Sequence, residues 1–260
     1  MSHLFTTCVT NFQRPEMLRA CLASLHNDHP IVVATMGGSA EHVQIVRQLC
    51  PGASHACEQG DYGCNRLWLN AASLAHTKWI SFLPDDDLRP PGFGRAAQKI
   101  CESMERNGAG FAAWNGQAYY WDEGRLARPI NTCFGVAGAY TSRPLADRVM
   151  TAGKYPFSQA AFLYDRETVL DVLIWCEENL KDCATRPTMM IGNDIALTLG
   201  HVQRFPRMMQ SAQHLTWYGH HDGSETLQYA AGKNNLMTMY DRARIKLQGV
   251  IFPHVTAWQP

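Results

Sequence analysis

Three consecutive aspartates, Asp85, Asp86 and Asp87, follow the strand-forming run WISFL (Trp79 to Leu83), with Pro84 between. Adjacent carboxylates repel one another and raise each other's proton affinity unless something positive sits among them. A divalent cation answers that repulsion. Mg²⁺ or Mn²⁺ takes one or two carboxylates and completes its shell with substrate phosphate oxygens and water. An Asp-x-Asp pair lets one carboxylate hold the metal while the other reaches a nucleotide's ribose or a metal-bound water, and the metal neutralises a departing diphosphate. The plainer account of the same residues is a solvated acidic turn, or a cap for the helix expected after Pro91. Two more groups of chemical interest lie downstream. Asp194, preceded by Gly192 and Asn193, opens a helical pattern, as either a helix cap or a positioned acid. His220 and His221 stand before Asp222 and a Gly-Ser turn, and imidazole binds metal or phosphate. In an extended chain the two cannot face the same way, and His221, nearer the turn, is preferred. A surface pair of histidines is the alternative.

The elements that must position these groups are legible in outline. Leu4 to Thr10 reads as a strand, Pro15 as the first residue of a helix carrying Leu18, Cys21, Leu22 and Leu25 at helical spacing. Ile31 to Thr35 is a second strand, stopped by Gly37 and Gly38. A helix follows from about Ala40, another from Asn65 to His76, and then the strand that ends at the aspartates. Such alternation predicts a parallel sheet with helices on its faces, whose ligands collect beyond the carboxyl ends of the strands, after Thr10, Thr35 and Leu83. Beyond Gly110 the pattern changes to short glycine-interrupted pieces, FAAWN, QAYYW and the stretch around CFGVAGAY. A helix is expected from Arg166 to Leu180 with Asp165 as its cap, a short one over GNDIALTLGHV, and one from Ser224 to about Leu247.

Two segments resemble family-2-type glycosyltransferases of the GT-A fold. TNFQRPEMLRACLASL, from Thr10, is similar to that family's T-x-N-R-P-x-x-L-x-x-x-L-x-S-L opening, with one residue more between threonine and arginine. KWISFLPDDDLRPPGF is similar to its Y-hydrophobic-x-F-L-D-x-D-D-x-x-x-P segment, with Pro84 where the family often has aspartate. The resemblance implies an α/β fold with a mostly parallel sheet, a nucleotide diphosphate sugar as donor, and Mn²⁺ or Mg²⁺ as cofactor. It assigns Thr10, Phe12 and Arg14 to the base and ribose pocket and the DxD motif to Asp85–Asp87. Which two of the three serve stays open; the preferred division gives Asp85 and Asp86 to the nucleotide and Asp87 to the metal. The family's downstream E-D pair maps onto Asn193 and Asp194, implying Asp194 as the base of an inverting transfer, and its late metal-binding histidine maps onto His221 or His220. One departure stands out: where the family carries an acidic D-D-G-S after its second strand to read the base, this chain has Met36, Gly37, Gly38 and Ser39, so uridine is not implied.

Bulk composition sets the outer limits. The 260 residues are 46 % hydrophobic, enough for one sizeable domain, read as a nucleotide half over about 1–110 and an acceptor half over about 111–260. Twenty-three acids balance 23 bases, removing any global attraction to nucleic acid or an anionic membrane. Arg204, Arg207, Arg242, Arg244 and Lys246 leave room for a local basic face. The nine cysteines contain no CxxC pair, the start lacks a signal-peptide layout, and no run approaches ~18 apolar residues. Reduced thiols in a cytoplasmic protein with no membrane partner are expected. The acceptor is expected to be soluble: a saccharide, small molecule, protein or modified DNA base. Trp114, Tyr119, Tyr120 and Trp121 are either sugar-stacking or core aromatics. Two other functions compete. A sugar-nucleotide pyrophosphorylase would carry a glycine-rich phosphate loop after the first strand, and Asn11 to Pro15 has no glycine. A non-catalytic sugar-binding module would have no need of the acids and histidines.

Overall fold

The computed structural model describes residues 3–60, 62–130, 137–151, 158–180, 184–186, 189–190, 192–221 and 236–252. Strands β1 (Phe5–Phe12), β2 (Ile31–Met36) and β4 (Trp79–Pro84) are buried almost throughout. Burial of nearly every position in this way suits strands covered by helices on both faces. Between them come α1 (Pro15–Ala23), α2 (Ala40–Leu49), β3 (Ser54–Glu58) and α3 (Cys64–Leu74). Pro15 opens α1, where a missing N–H costs nothing, and Leu18, Cys21 and Leu22 form its buried stripe.

The second part adds α4 (Phe93–Asn107), β5 (Phe111–Tyr120), β6 (Arg125–Ile130), β7 (Gly138–Thr141), α5 (Arg143–Thr151), β8 (Phe162–Asp165) and α6 (Arg166–Asn179). The hairpin β9 (Ala184–Arg186) and β10 (Met189–Met190), α7 (Asn193–Arg204), β11 (Arg207–His220) and α8 (Leu236–Leu247) follow. One nine-stranded sheet runs β3-β2-β1-β4-β8-β5-β11-β7, with β6 beside β5. It is parallel across β3-β2-β1-β4 and between β5 and β11, with antiparallel β8 joining the two parallel blocks. The chain leaves β1 toward β2 on one side and returns to β4 on the other, which makes the carboxyl ends of β1 and β4 the switch point of the sheet.

The mostly parallel α/β architecture expected from the sequence is present, and the Asp165 cap holds: its Oδ1 accepts the Thr168 N–H at 2.9 Å. Other expectations need correction. FAAWN and QAYYW are one continuous strand, β5, because Gly116 leaves room for the ring of Tyr218 from β11. The segment before His221, to which the sequence assigned no element, is the 14-residue strand β11. Register breaks at Ser211/His214 and His214/Thr216 erase the alternation that would have revealed it. Strand β3 also escaped notice, since SHACE is polar and only partly buried. Of the helix expected from Ser224, the described portion is α8; residues 222–235 lie outside the described residues, as do 131–136 within the CFGVAGAY stretch.

Candidate active site

The register between β1 and β4 decides where the aspartates fall. Thr10 pairs with Pro84, and the Thr10 carbonyl accepts the Asp85 N–H at 2.9 Å, so the turn begins level with the end of β1. Asp87 N–H closes the turn on the Pro84 carbonyl at 3.0 Å. On its far side Leu88 and Trp217 exchange two backbone hydrogen bonds of 2.9 Å, tying the turn to β11. Gly219 of β11 comes so close that a Cβ there would stand 1.8 Å from the Asp86 carbonyl oxygen. Trp121 Nε1 donates to that same carbonyl at 2.8 Å. The turn is therefore clamped from both halves of the sheet.

Each carboxylate meets different company. Asp85, 1 % exposed, accepts from Asn11 Nδ2 at 2.5 Å and from Arg14 through Nε at 3.1 Å and through Nη2. Asp86, 21 % exposed, lies 3.4 Å from Arg14 Nη1 and 3.1 Å from His221 Nε2. Asp87 is turned inward, accepting the Gly219 N–H at 2.9 Å and the Ser158 hydroxyl at 3.4 Å. Burial pushes Asp85 up to about 7, against the pull of Arg14. Burial also opposes charge on Asp86, but the His221 hydrogen bond and the Arg14 charge outweigh it and hold Asp86 below its ordinary value. Asp87 is raised well above, first by burial and then by the Asp86 charge.

The positive group among the carboxylates is thus Arg14, whose guanidinium reaches Asp85, Asp86 and His221 together. His221 Nε2 is 3.3 Å from Arg14 Nη1 and 3.1 Å from Asp86 Oδ2. A proton on that nitrogen serves Asp86; a lone pair there serves Arg14 or a metal ion. His220, one residue earlier on β11, packs against Tyr120 instead, at 5.3 Å between ring centroids. Asp86 and His221 thus form a carboxylate–imidazole pair in which Asp86 is the more exposed member. Among the described residues no cluster of three His, Cys, Asp or Glu side chains that could hold a metal ion forms.

The other sequence candidates spread around this point. Thr10 is 4 % exposed and serves the turn through its backbone, while Phe12 is half-buried against the core. Asp194 lies in the first turn of α7, whose N-cap position belongs to Gly192 at φ 100°, and its Oδ1 accepts the Ile195 N–H at 2.8 Å. Its charge helps raise the Cys64 thiol, which burial pushes to about 12. Cys64 is the first residue of α3, so Asp194 stands at the helix end that follows β3. Tyr119 and Trp121 form an edge-on pair at 5.5 Å, and Tyr119 stacks with Trp217 at 6.5 Å, a half-buried aromatic wall beside Asp86. Trp114 is core, donating Nε1 to Thr216 at 2.9 Å. Arg204 and Arg244 of the expected basic face turn to Asp165 and Asp241.

Several site residues escaped the sequence reading. Asn11 carried a signal, being a polar residue inside a buried run. Ser158 and Gly219 carried none, because their roles depend on where β11 and the segment before β8 cross the turn. Arg89 was also missed. It is 1 % exposed and donates to the carbonyls of Ala160 (2.7 Å), Leu215 (3.1 Å) and Phe82 (3.1 Å), and to Ser81 Oγ (2.7 Å) and Thr216 Oγ1.

Taken together, the sheet order and the helices on its faces give a mixed α/β fold, with a mostly parallel sheet, that solved structures share. Among solved structures, S. aureus TarS 1-349 matches with a TM-score of 0.59 and 13 % identity, over 83 % of this chain and 60 % of that one. The same protein in complex with UDP-GlcNAc matches with a TM-score of 0.58 and 12 % identity, over 86 % of this chain and 60 % of that one. Its complex with UDP gives 0.57 and 13 %, over 82 % and 59 %. The chain therefore spans about 60 % of the length of these 1-349 chains and 36 % of a longer TarS chain, and at this identity the likeness is one of fold. No family model and no curated protein matches the sequence.

Proposed function

We propose that this protein transfers a glycosyl group from a nucleoside diphosphate sugar to an acceptor hydroxyl. The observation that carries the reading is the Arg14 guanidinium gathered with Asp85, Asp86 and His221 at the switch point of a GT-A-like sheet. A planar guanidinium held by carboxylates at the mouth of buried strands is placed to pair with a diphosphate, which it matches by forked hydrogen bonds. The complexes of TarS with UDP and UDP-GlcNAc support the same donor class.

Asp86 and His221 would hold Mn²⁺ or Mg²⁺, with Asp87 fixing the turn from below through Gly219 and Ser158. This revises the division expected from the sequence, because both Asp87 oxygens already serve protein donors. When bound, such an ion supplies positive charge for the diphosphate as it leaves. Asp85 fixes Arg14 so that its remaining N–H groups face the diphosphate. The aromatic wall of Tyr119, Trp121 and Trp217 gives the acceptor side an apolar face for a sugar ring. Asp194 would accept the acceptor hydroxyl's proton as the new bond forms, which makes the transfer inverting.

Thermal unfolding with UDP, with and without Mn²⁺, tests the donor reading. Stabilisation should need both, reaching about 2.7 kcal/mol at a hundredfold excess over Kd. If no nucleoside diphosphate binds under either condition, the reading fails. Asp194→Asn should keep donor binding and lose about 10²-fold or more in transfer rate, and unchanged turnover would move the base elsewhere.

A further inference from the structure

We propose that Arg14 is the resident cation of the aspartate turn and its latch: the guanidinium keeps a divalent ion off Asp86 and His221 until a diphosphate draws it away. The inference rests on the donor reading above and adds a coupling, in which the ion binds only together with the diphosphate. Arg14 joins two parts of the chain that lie 207 residues apart, the start of α1 and the segment at the end of β11. Its backbone is not free to follow its side chain. Arg14 takes the N-cap position of α1, and its carbonyl accepts the Leu18 N–H at 3.0 Å and Asn11 Nδ2 at 3.1 Å. Any change of partner therefore falls to the side chain.

The two edges of the guanidinium are held unequally. Nε and Nη2 form a fork on Asp85, which is buried and takes Asn11 Nδ2 as a further donor. Breaking a buried pair leaves an uncompensated charge, so this edge stays in place. Nη1 belongs to the other edge, 3.4 Å from Asp86 Oδ2 and 3.3 Å from His221 Nε2. The Asp86 contact is long and reached by solvent, and an ion pair of that kind contributes little. Arg14 can thus turn Nη1 to an incoming anion while Asp85 keeps the fork.

Where Nη1 stands, neither partner is available to an ion. The guanidinium has only N–H groups and stays charged, so it can neither ligate a metal nor shed its proton. A lone pair on His221 Nε2 accepts from Arg14, and a proton there is donated to Asp86 Oδ2 at 3.1 Å; the nitrogen is taken in both states. Asp86 Oδ2 is in turn shared by Arg14 and His221. A second positive charge brought to this pair would also meet the first at close range. A diphosphate meets both needs at once, because it takes Nη1 by hydrogen bonds to its own oxygens and adds others to the shell of an ion.

Mn²⁺ titrations of the full chain, read by the electron-spin signal of the free ion, test the latch without any turnover. With no nucleotide added, Arg14→Gln should bind Mn²⁺ about ten- to hundredfold more tightly than the wild type, the range for a hydrogen bond to a charged group. Arg14→Gln with Asp85→Asn, which leaves no buried carboxylate without its partner should the single variant fold poorly, is expected to show the same gain. Adding Asp86→Asn should abolish it. Saturating UDP should close the gap by raising the Mn²⁺ affinity of the wild type. Equal Mn²⁺ affinities in the wild type and both Arg14 variants, a gain that survives Asp86→Asn, or a gap that persists under saturating UDP would each overturn the latch. The donor reading survives those outcomes as long as UDP and Mn²⁺ together still stabilise the fold. If UDP binds none of these proteins at any Mn²⁺ concentration, the donor reading fails and the coupling fails with it.

Discussion

Arg14 and Arg89 lie on opposite sides of the same aspartate turn, and their surroundings differ in kind. Arg14 is 35 % exposed and held by the carboxylates of Asp85 and Asp86, with His221 alongside. Arg89 is 1 % exposed and held by carbonyls and hydroxyls from β4, from β11 and from the short helical turn Gln159–Ala161 before β8, while its guanidinium lies 4.2 Å above the Phe93 ring. Burial pulls Arg89 down to about 10, partly offset by the charge of Asp87. Arg14 is raised: burial works against its charge, but the two aspartates outweigh it. A cation on carboxylates with solvent access can trade partners for an incoming anion. One enclosed by neutral dipoles has no such exchange open to it and serves to pin strands that are far apart in sequence.

That contrast can be broken experimentally. The largest effect should come from Arg89→Met, which removes one donor from each of five acceptors in the core: a loss of about 3–5 kcal/mol in urea unfolding, with nucleotide affinity preserved in whatever fraction stays folded. Arg14→Lys should do the reverse, changing stability by about 1 kcal/mol or less while cutting nucleoside diphosphate affinity by about tenfold or more, since an ammonium cannot reproduce the fork. If Arg14→Lys unfolds the protein, or Arg89→Met leaves stability untouched, the two arginines do not divide labour this way.

The smallest effect is one of pH, and its sign separates the turn from the sheet interior. Asp85 is raised from 3.8 to about 7, so the folded state holds its proton more tightly than the unfolded chain; that contribution is complete below 3.8 and is lost as pH rises through 7. Buried His201 is lowered from 6.5 to about 4, first by burial, so its contribution is present above 6.5 and is lost as pH falls through 4. Asp85→Asn should therefore make unfolding midpoints rise more with pH than in the wild type between 4 and 7, and an unaltered profile would show that Asp85 does not titrate in that window.

What could be read from the chain was whatever depends on neighbours in sequence. Burial periodicity marked β1, β2 and β4, Pro15 marked the start of α1, Asp165 capped α6, and three adjacent acids at the end of a buried strand marked the turn. Local charge repulsion even required a positive partner there. The sequence pointed to a divalent cation for that place and not to Arg14, which is 71 residues from Asp85 in sequence and meets it only through the β1–β4 register. The inward turn of Asp87 and the roles of Gly219, Ser158 and Arg89 came from β11 crossing the turn. Strand β11 carries two register breaks and pairs in parallel with β5, about a hundred residues earlier in the chain. Hydrogen-bond partners that distant are fixed by the closure of the sheet, and no local pattern of residue types records them.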